Sequence, residues 1–385
     1  MKVSNCRVCS GAFYEEPLLR YENMPGSAQG FLDLESLEQD KGTDLEVCQC
    51  SVCGLVQLSN EPVSYYREVI RATAISQDMT EFRLKHFFDF VKKHDLRNKK
   101  ILEIGCGEGE YLSLMKECGP KVAGLEYGQG SVERGIEAGL QVERGYIDSP
   151  DYLVHGQPYD AFFIMNFFEH APEPNVLLQG INNNLVDGAV GIIEVPNFDM
   201  ILKNNLFSEF ISDHLFYFTK DTLVSTLQRN GFEVLECESI WHDYIISAVV
   251  KKRERLDLTH FYNYQSKIKR EILEYIGRYN PGRVAIYGAG HQSLAIISLT
   301  NIGDKVKYII DDAPFKQNKY APASHVPIVP IEELETNPVD AIIVMAASYS
   351  NEVSKKVITR FGYNMDLAIL RDTGLERICE KYWVF

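Results

Sequence analysis

The sequence lacks the features that would point to a membrane, to secretion or to a nucleic acid. No apolar run approaches the length needed to cross a bilayer, and no apolar segment follows the first lysine, as a secretory signal would require. Acidic residues outnumber basic ones, 54 to 39, and the formal net charge of −15 disfavours nucleic acids and anionic membranes as partners. We therefore expect a cytoplasmic protein whose nine cysteines are thiols rather than disulfides.

The glycine-rich turn at residues 105–109 lacks the spacing of two well-known nucleotide loops. It reads Gly-Cys-Gly-Glu-Gly, not the G-x-G-x-x-G of NAD sites, and no Lys-Ser or Lys-Thr follows as in a phosphate loop. An apolar run at residues 101–104 predicts a buried strand before the turn, and residues 111–115 have helical spacing after it. This arrangement would present backbone N–H groups and the positive end of a helix to a ligand.

A second predicted strand ends at Glu126, about 20 residues further on, where a carboxylate can accept both hydroxyls of a ribose. Together the two segments resemble the first motifs of the class I S-adenosylmethionine (SAM) methyltransferases. The resemblance implies that Glu103 lies near the amino-acid part of SAM and that Glu126 holds its ribose. The turn glycines would lie along the cofactor: Gly105, Gly107 and Gly109. A nucleotide fold that binds another ligand is the alternative.

Residues further along this region are expected at the mouth of the site. Tyr146 and Ile147 fall where class I enzymes hold the adenine of SAM. A third apolar strand ends just before Asn166 and Phe167, and residues beyond the carboxyl end of such a strand line the ligand crevice. We expect these two residues at the cofactor and His170 at the substrate, although a histidine at a strand end is structural as often as functional.

Two cysteine pairs near the N-terminus predict a metal site. Cys6-x-x-Cys9 and Cys50-x-x-Cys53 can each aim two thiolates at one tetrahedral ion, which indicates zinc. Cys48 could replace Cys50 as a ligand, but it lacks the x-x spacing and is expected to be a free thiol. Four thiolates leave no position for water, and the segment has little core of its own, so the zinc is expected to be structural.

Two further positions carry reactive or charged groups. Arg71 would hold an anionic substrate group bidentately or be a solvated surface charge. Asp213 precedes His214, and a carboxylate beside an imidazole can raise its basicity or fix its orientation. Tyr217 adds a phenol nearby. A structural Asp-His pair is common, so the residues alone leave catalysis open.

The C-terminal third repeats the strand and glycine-turn pattern. Residues 283–291 read as a strand ending in Gly-Ala-Gly-His, and residues 306–312 and 339–345 as further strands. This predicts a second Rossmann-like domain, which binds a nucleotide or walls the active site. The chain is thus expected to be an α/β protein with a class I methyltransferase Rossmann-like sheet. Its predicted domains are a zinc-binding domain at 1–62, a SAM-dependent methyltransferase domain at 63–252 and a Rossmann-like substrate-binding domain at 253–385.

Over nearly its whole length the sequence is similar to C-methyltransferases that act on nucleotide-linked keto-deoxysugars. The stretches that carry the resemblance are the two cysteine pairs with Gly54–Leu58, the SAM turn, Asp213–Phe218, Tyr287–Ala289, Asp311–Lys319 and His325–Ile328. It implies that His214 is the general base, that the neighbouring acid orients it, and that Tyr287 and Lys316 bind substrate. The sequence departs from the family where Asp213 replaces a glutamate and Ile211 stands in place of a tyrosine. The resemblance therefore does not identify which sugar is the substrate.

The resemblance favours C-methylation through an enolate, with SAM and a structural Zn²⁺ as cofactors. The expected partner is a nucleotide sugar, and the chain is expected to be a monomer or homodimer. An O- or N-methyltransferase on another small acceptor, or a non-catalytic SAM- or nucleotide-binding module, are the alternatives.

Overall fold

A computed structural model describes residues 2–28, 31–68 and 75–378 of the 385-residue chain. The chain divides into two compact units, Met1–Arg255 and Leu256–Phe385. None of the helices within the described residues is long and apolar enough to span a bilayer.

The first unit contains two sheets and six α-helices among its described residues. Its strands are β1 (Leu19–Met24), β2 (Thr43–Gln49), β3 (Val56–Leu58), β4 (Lys100–Ile104), β5 (Lys121–Glu126), β6 (Val142–Arg144), β7 (Tyr159–Met165), β8 (Leu185–Pro196), β9 (Phe216–Tyr217), β10 (Phe232–Ile240) and β11 (Ile245–Lys252). Its helices are α1 (Gln77–Lys93), α2 (Glu110–Glu117), α3 (Gln129–Glu137), α4 (Pro174–Asn183), α5 (Phe198–Lys203) and α6 (Lys220–Arg229).

The larger sheet has the strand order β10-β11-β8-β7-β4-β5-β6. The strands from β8 to β6 are parallel, whereas β11 lies antiparallel between β8 and β10. The chain leaves β4 towards β5 on one side and later returns as β7 on the other. Ligands of such sheets bind at this change of direction, beyond the carboxyl ends of the strands. The candidate crevice therefore lies after β4 and β7.

Both faces of this sheet are covered, which explains the apolar runs in its strands. Ile101 packs with Phe87 and Phe90 of α1 on one face, whereas Leu102 and Ile104 belong to the core on the other. Helix α1 begins at a Ser76 N-cap, whose hydroxyl accepts from the backbone N–H of Met79.

The smaller sheet links the N-terminal segment to a distant part of the chain. Its order is β1-β2-β3-β9, with every pair antiparallel. β9 has only two residues, and it pairs with Val56 and Gln57 of β3. It begins two residues after His214, so the pairing anchors the loop that carries that histidine.

The second unit contains one seven-stranded sheet among its described residues. Its strands are β12 (Val284–Tyr287), β13 (Ile309–Ile310), β14 (Lys319–Tyr320), β15 (Pro327–Val329), β16 (Ala341–Val344), β17 (Asp366–Arg371) and β18 (Gly374–Ile378). Its helices are α7 (Thr259–Ile276), α8 (His291–Thr300), α9 (Glu333–Thr336) and α10 (Ser350–Phe361). The order is β14-β15-β13-β12-β16-β17-β18, parallel except for the two edge pairs. The predicted α/β class with two Rossmann-like sheets is confirmed.

Candidate active site

The four predicted zinc ligands lie together in the first unit. Their sulfur atoms all fall within 4.8 Å of one another, with Cys6 Sγ 3.7 Å from Cys53 Sγ and Cys9 Sγ 3.4 Å from Cys50 Sγ. Tetrahedral zinc with bonds of about 2.3 Å places its sulfur ligands roughly 3.8 Å apart. The geometry therefore fits a four-thiolate ion. Cys48, on β2, is buried outside this cluster.

Hydrogen-bond donors point at the sulfurs, as thiolates require. The backbone N–H of Val8 donates to Cys6 Sγ, and that of Val52 donates to Cys50 Sγ, both at 3.4 Å. The side chain of Gln57 donates to Cys6 Sγ at 3.2 Å and is fully buried. Sequence reasoning missed Gln57, although a glutamine in an otherwise apolar strand is a signal for a buried polar contact.

The glycine turn after β4 has the backbone that its sequence predicts. Gly105, Gly107 and Gly109 have φ of +69°, +56° and +92°, which L side chains adopt only with strain. There is also no room for a side chain at Gly105, because a Cβ there would lie 2.7 Å from the ring of Phe167. Glu103, at the end of β4, is completely buried.

Glu126 binds the glycine turn itself. Its two carboxylate oxygens accept from the backbone N–H groups of Gly107 and Gly128, at 2.9 Å and 2.7 Å. The side chain is only 1% exposed. This carboxylate thus fixes the relation between the loops after β4 and β5, and its contact with a ribose stays a prediction.

Aromatic side chains gather where the adenine is expected. Tyr146 packs edge-on against Tyr66 and Phe167, at ring distances of 5.8 Å and 6.4 Å, while Ile147 is buried in the core beneath. Burial raises the pKa of Tyr146. The guanidinium of Arg67 lies 5.4 Å from the ring of Tyr146 and 5.2 Å from that of Tyr66. Arg67 is a second residue that sequence reasoning missed.

A cavity of about 310 Å³ opens beyond the carboxyl end of β7. The predicted residues that line it are Asn166, Phe167, His170, Asp213 and His214. Asn166 has φ of +50°, and its Oδ1 is buried without a hydrogen-bond partner among the described residues. Tyr65 and Glu169 also line the cavity and were not predicted. Arg71 lies outside the described residues.

The two histidines face each other in this cavity. Their rings are 4.9 Å apart in an edge-to-face arrangement, and His170 Nδ1 lies 2.8 Å from the backbone oxygen of Asp213. Because a carbonyl only accepts, Nδ1 carries the proton and Nε2 keeps its lone pair. Burial lowers the pKa of His170, and burial with repulsion from His170 lowers that of His214 to about 3. Both rings are therefore neutral near pH 7.

The expectation that the Asp213 carboxylate orients His214 needs correction. Among the residues that the structure describes, this carboxylate accepts from the backbone N–H of Ala28 at 2.8 Å, the hydroxyl of Tyr65 at 2.7 Å and the hydroxyl of Ser212 at 3.3 Å. None of these bonds comes from the His214 ring. Asp213 instead ties the N-terminal segment and the Tyr65 segment to the His214 loop, because its side chain points towards them.

Tyr217 lies beside the cavity rather than on its wall. Its hydroxyl accepts from the backbone N–H of Ile211 at 3.1 Å, and its ring packs on Phe198 and Phe210. Burial raises the pKa of the phenol. These contacts favour a structural role for Tyr217, and its catalytic role stays a prediction.

Glu169 lies in a 3-10 turn, Phe168–His170, directly after β7. It is 1% exposed, and its Oε1 is 3.9 Å from His170 Nε2. Its Oε2 has no hydrogen-bond partner among the described residues. Burial raises the pKa of this carboxyl to about 8. The carboxyl group is therefore mostly protonated at neutral pH.

In the second unit, the predicted substrate residues lie at the carboxyl ends of adjacent strands. The hydroxyl of Tyr287 donates to Asp312 at 2.8 Å, and Lys316 Nζ is 3.0 Å from Asp311. The backbone N–H of Ala289 also donates to Asp311, at 2.7 Å. An acidic pair thus holds both predicted residues.

Comparison with known proteins agrees with this architecture. The methyltransferase-domain family matches residues 77–237, and the family of C-methyltransferase C-terminal domains matches residues 247–362. The chain is a SAM-dependent methyltransferase. Over 91% of either chain it is also 23% identical to the C-methyltransferase NovU of Streptomyces niveus.

Other similarities cover less of the chain. A ubiquinone biosynthesis O-methyltransferase of Salmonella paratyphi A is 34% identical over 20% of this chain and 35% of its own. Among solved structures, the PH0226 protein of Pyrococcus horikoshii is 15% identical, with a TM-score of 0.40 over 49% of this chain and 98% of that one.

Proposed function

We propose that this methyltransferase transfers the methyl group of SAM to a carbon atom of a keto-deoxysugar linked to a nucleotide. The C-terminal domain match and the similarity to NovU along nearly the whole chain support C-methylation. The observation that carries the proposal is the neutral His170–His214 pair in the cavity beyond β7. Such a pair suits removal of a proton next to a carbonyl group.

In the proposed reaction His214 acts as general base. It is unprotonated near pH 7 because burial lowers its pKa to about 3, and base catalysis contributes roughly 10²–10⁴-fold. The resulting enolate needs a hydrogen-bond donor at its oxygen. Asn166, in the cavity wall, is the predicted candidate, and it would donate through its side-chain NH₂ group because its unpartnered Oδ1 only accepts. Tyr217 is less suitable, because its hydroxyl is bonded to Ile211.

The cofactor would be held by the loops after β4 and β5. Glu103, the turn glycines and Glu126 would bind its amino-acid and ribose parts, with Tyr146, Ile147, Asn166 and Phe167 around them. SAM supplies an electrophilic methyl group, and the site's task is to hold the acceptor carbon about 3–3.5 Å from it, in line. The four cysteines would hold a structural zinc, because a closed four-thiolate shell has no open position.

We also propose three domains, 1–62, 63–252 and 253–385. Arg71, His170, Tyr287 and Lys316 would contact the nucleotide sugar. The protein is expected to act in the cytoplasm as a monomer or homodimer.

The test is a panel of nucleotide-linked keto-deoxysugars incubated with SAM, followed by mass spectrometry and NMR of the products. We expect a new C–CH₃ group, and deuterium exchange at the acceptor carbon in D₂O without SAM. His214→Ala should still bind S-adenosylhomocysteine but lose both exchange and turnover. Near-normal turnover of His214→Ala would contradict the mechanism. Methylation of an oxygen or nitrogen atom, without deuterium exchange at carbon, would instead identify the protein as an O- or N-methyltransferase.

A further inference from the structure

Glu169 is a buried acid that the proposed reaction has not yet used. One oxygen atom of its carboxyl group and a ring nitrogen atom of each histidine, His170 and His214, all lie within 4.8 Å of one another. The carboxyl group is 1% exposed, and its Oε2 has no hydrogen-bond partner among the described residues. A buried carboxyl oxygen without a hydrogen-bond partner is costly, so its retention at this position needs a reason.

Competing partners for the histidine pair are few. The described cavity lining contains no lysine or arginine. Its remaining titratable groups are Tyr65, Tyr66, Tyr111 and Tyr244, with Glu68 from the segment before α1 and Asp213 from the His214 loop. The Asp213 carboxylate is held by Ala28, Tyr65 and Ser212. Glu169 is thus the acid whose side chain turns to the histidines.

We propose that Glu169, not Asp213, is the carboxylate partner of the His170–His214 pair, a positioning residue whose negative charge stabilises the imidazolium formed at His214. The proposal rests on the proposed function for its role in the reaction. The C–H bond breaks, its proton goes to His214, and its electron pair becomes the enolate. That pair then forms the C–C bond, the S–CH₃ pair stays on sulfur, and S-adenosylhomocysteine leaves as a neutral thioether.

Asp213 keeps a different task in this arrangement. Its backbone oxygen accepts from His170 Nδ1, which directs the Nε2 lone pair of that ring towards Glu169. His170 thus contacts both groups: its Nε2 lies 3.9 Å from Glu169 Oε1, and its ring lies 4.9 Å from that of His214. A unit charge about 5 Å away, at an effective dielectric constant of ~20, changes proton affinity by roughly 10²-fold.

The experiment compares the intact wild-type protein with Glu169→Gln, and uses Glu169→Asp and Asp213→Asn as comparison variants. Deuterium exchange at the acceptor carbon is measured without SAM from pH 6 to pH 9. The pKa of Glu169, about 8, predicts that the wild-type rate rises as the carboxyl ionises. At pH 6 the exchange rates of the wild type and Glu169→Gln should differ by less than about threefold, because both proteins then have a neutral side chain at position 169. At pH 9 Glu169→Gln should be about 10²-fold slower.

Glu169→Asp keeps the charge and should keep part of the alkaline rise. Asp213→Asn should keep the whole rise, even if its overall rate falls. An alkaline rise retained in Glu169→Gln, or lost in Asp213→Asn alone, would overturn the proposal.

A second measurement needs no substrate. NMR of ¹³C-labelled histidine should show signals of His170 and His214 that shift as the pH passes about 8 in the wild type, and not in Glu169→Gln. If these shifts appear but no sugar is methylated, the proposed function is wrong, while the pairing of Glu169 with the two histidines is confirmed. If sugars are methylated but the signals ignore Glu169, the pairing fails alone. Cobalt titration provides a further check. If the protein binds a second equivalent of Co²⁺ in addition to the one in the four-cysteine site, and Glu169→Gln loses it, then Glu169 and the histidines form a metal site and the proposed pairing is wrong.

Discussion

Replacement of Gly105 by alanine tests whether the backbone after β4 is shaped for a close approach. Gly105 has φ of +69°, and a Cβ there would lie 2.7 Å from two ring atoms of Phe167 and 3.0 Å from a third. Phe167 lines the cavity beyond β7. An alanine therefore introduces backbone strain and also displaces a side chain that is predicted to contact the cofactor.

Gly139 offers a matched control, because it has φ of +77° and nothing lies within 4 Å of the position that a Cβ would take there. A left-handed alanine costs about 1–2 kcal/mol at either position. At Gly105 the clash adds about 1–3 kcal/mol, as in an overpacked core. The expected loss of unfolding free energy is thus about 2–5 kcal/mol for Gly105→Ala and about 1–2 kcal/mol for Gly139→Ala.

Urea unfolding gives the two free energies, and calorimetric titration with S-adenosylhomocysteine gives the affinities. We expect Gly105→Ala to weaken binding at least tenfold (about 1.4 kcal/mol) and Gly139→Ala to leave it within about twofold. If both variants lose the same stability and bind S-adenosylhomocysteine equally well, the inference of a cofactor-shaped turn is wrong.

Three further predictions follow from other parts of the chain. Cys50→Ser should lose the bound zinc, as measured by mass spectrometry, and should unfold at a lower temperature. Cys48→Ser should keep one equivalent of zinc, because Cys48 lies outside the sulfur cluster. Arg83→Met should cost about 3–5 kcal/mol in urea unfolding because it leaves Glu194 buried without its 2.5 Å ion-pair partner, and the double variant Arg83→Met/Glu194→Met should recover most of that loss. For Asp311, burial raises the pKa, but the N–H groups of Ala313 and Ala289 and the ammonium of Lys316 outweigh it and lower the pKa overall. Its stabilisation is therefore present above the unfolded pKa of about 3.9 and is lost as the pH falls through the folded pKa, so acid unfolding of Asp311→Asn should depend less on pH below about 4.

Short-range patterns made most of the fold predictable. The apolar run and glycine turn at residues 101–109 predicted β4 and the crevice after it, because a strand covered on both faces must be apolar and a left-handed turn favours glycine. The cysteine spacing predicted the sulfur cluster for a similar reason, since each pair is local. β9 could not be predicted, because a two-residue strand has no periodicity of its own and exists only through its pairing with β3.

The acid–histidine pairs show why the candidate site was harder to predict than the fold. The sequence contains two such dipeptides, Glu169-His170 and Asp213-His214, and adjacency alone suggests the same relation in both. In the structure the pairs are crossed: the backbone of Asp213 fixes the ring of His170, while the side chain of Asp213 turns to Tyr65.

This difference arises from the partners that surround each acid. Glu169 and His170 share a 3-10 turn, and Glu169 Oε1 lies 3.9 Å from His170 Nε2. Asp213 lies in the turn at residues 212–213, and its carboxylate is held there by Ala28 and Tyr65. Both acids lie in turns, so adjacency to a histidine in the sequence does not by itself predict a contact between the two side chains. The acid that serves a histidine must be identified from the loops that the sheet brings together.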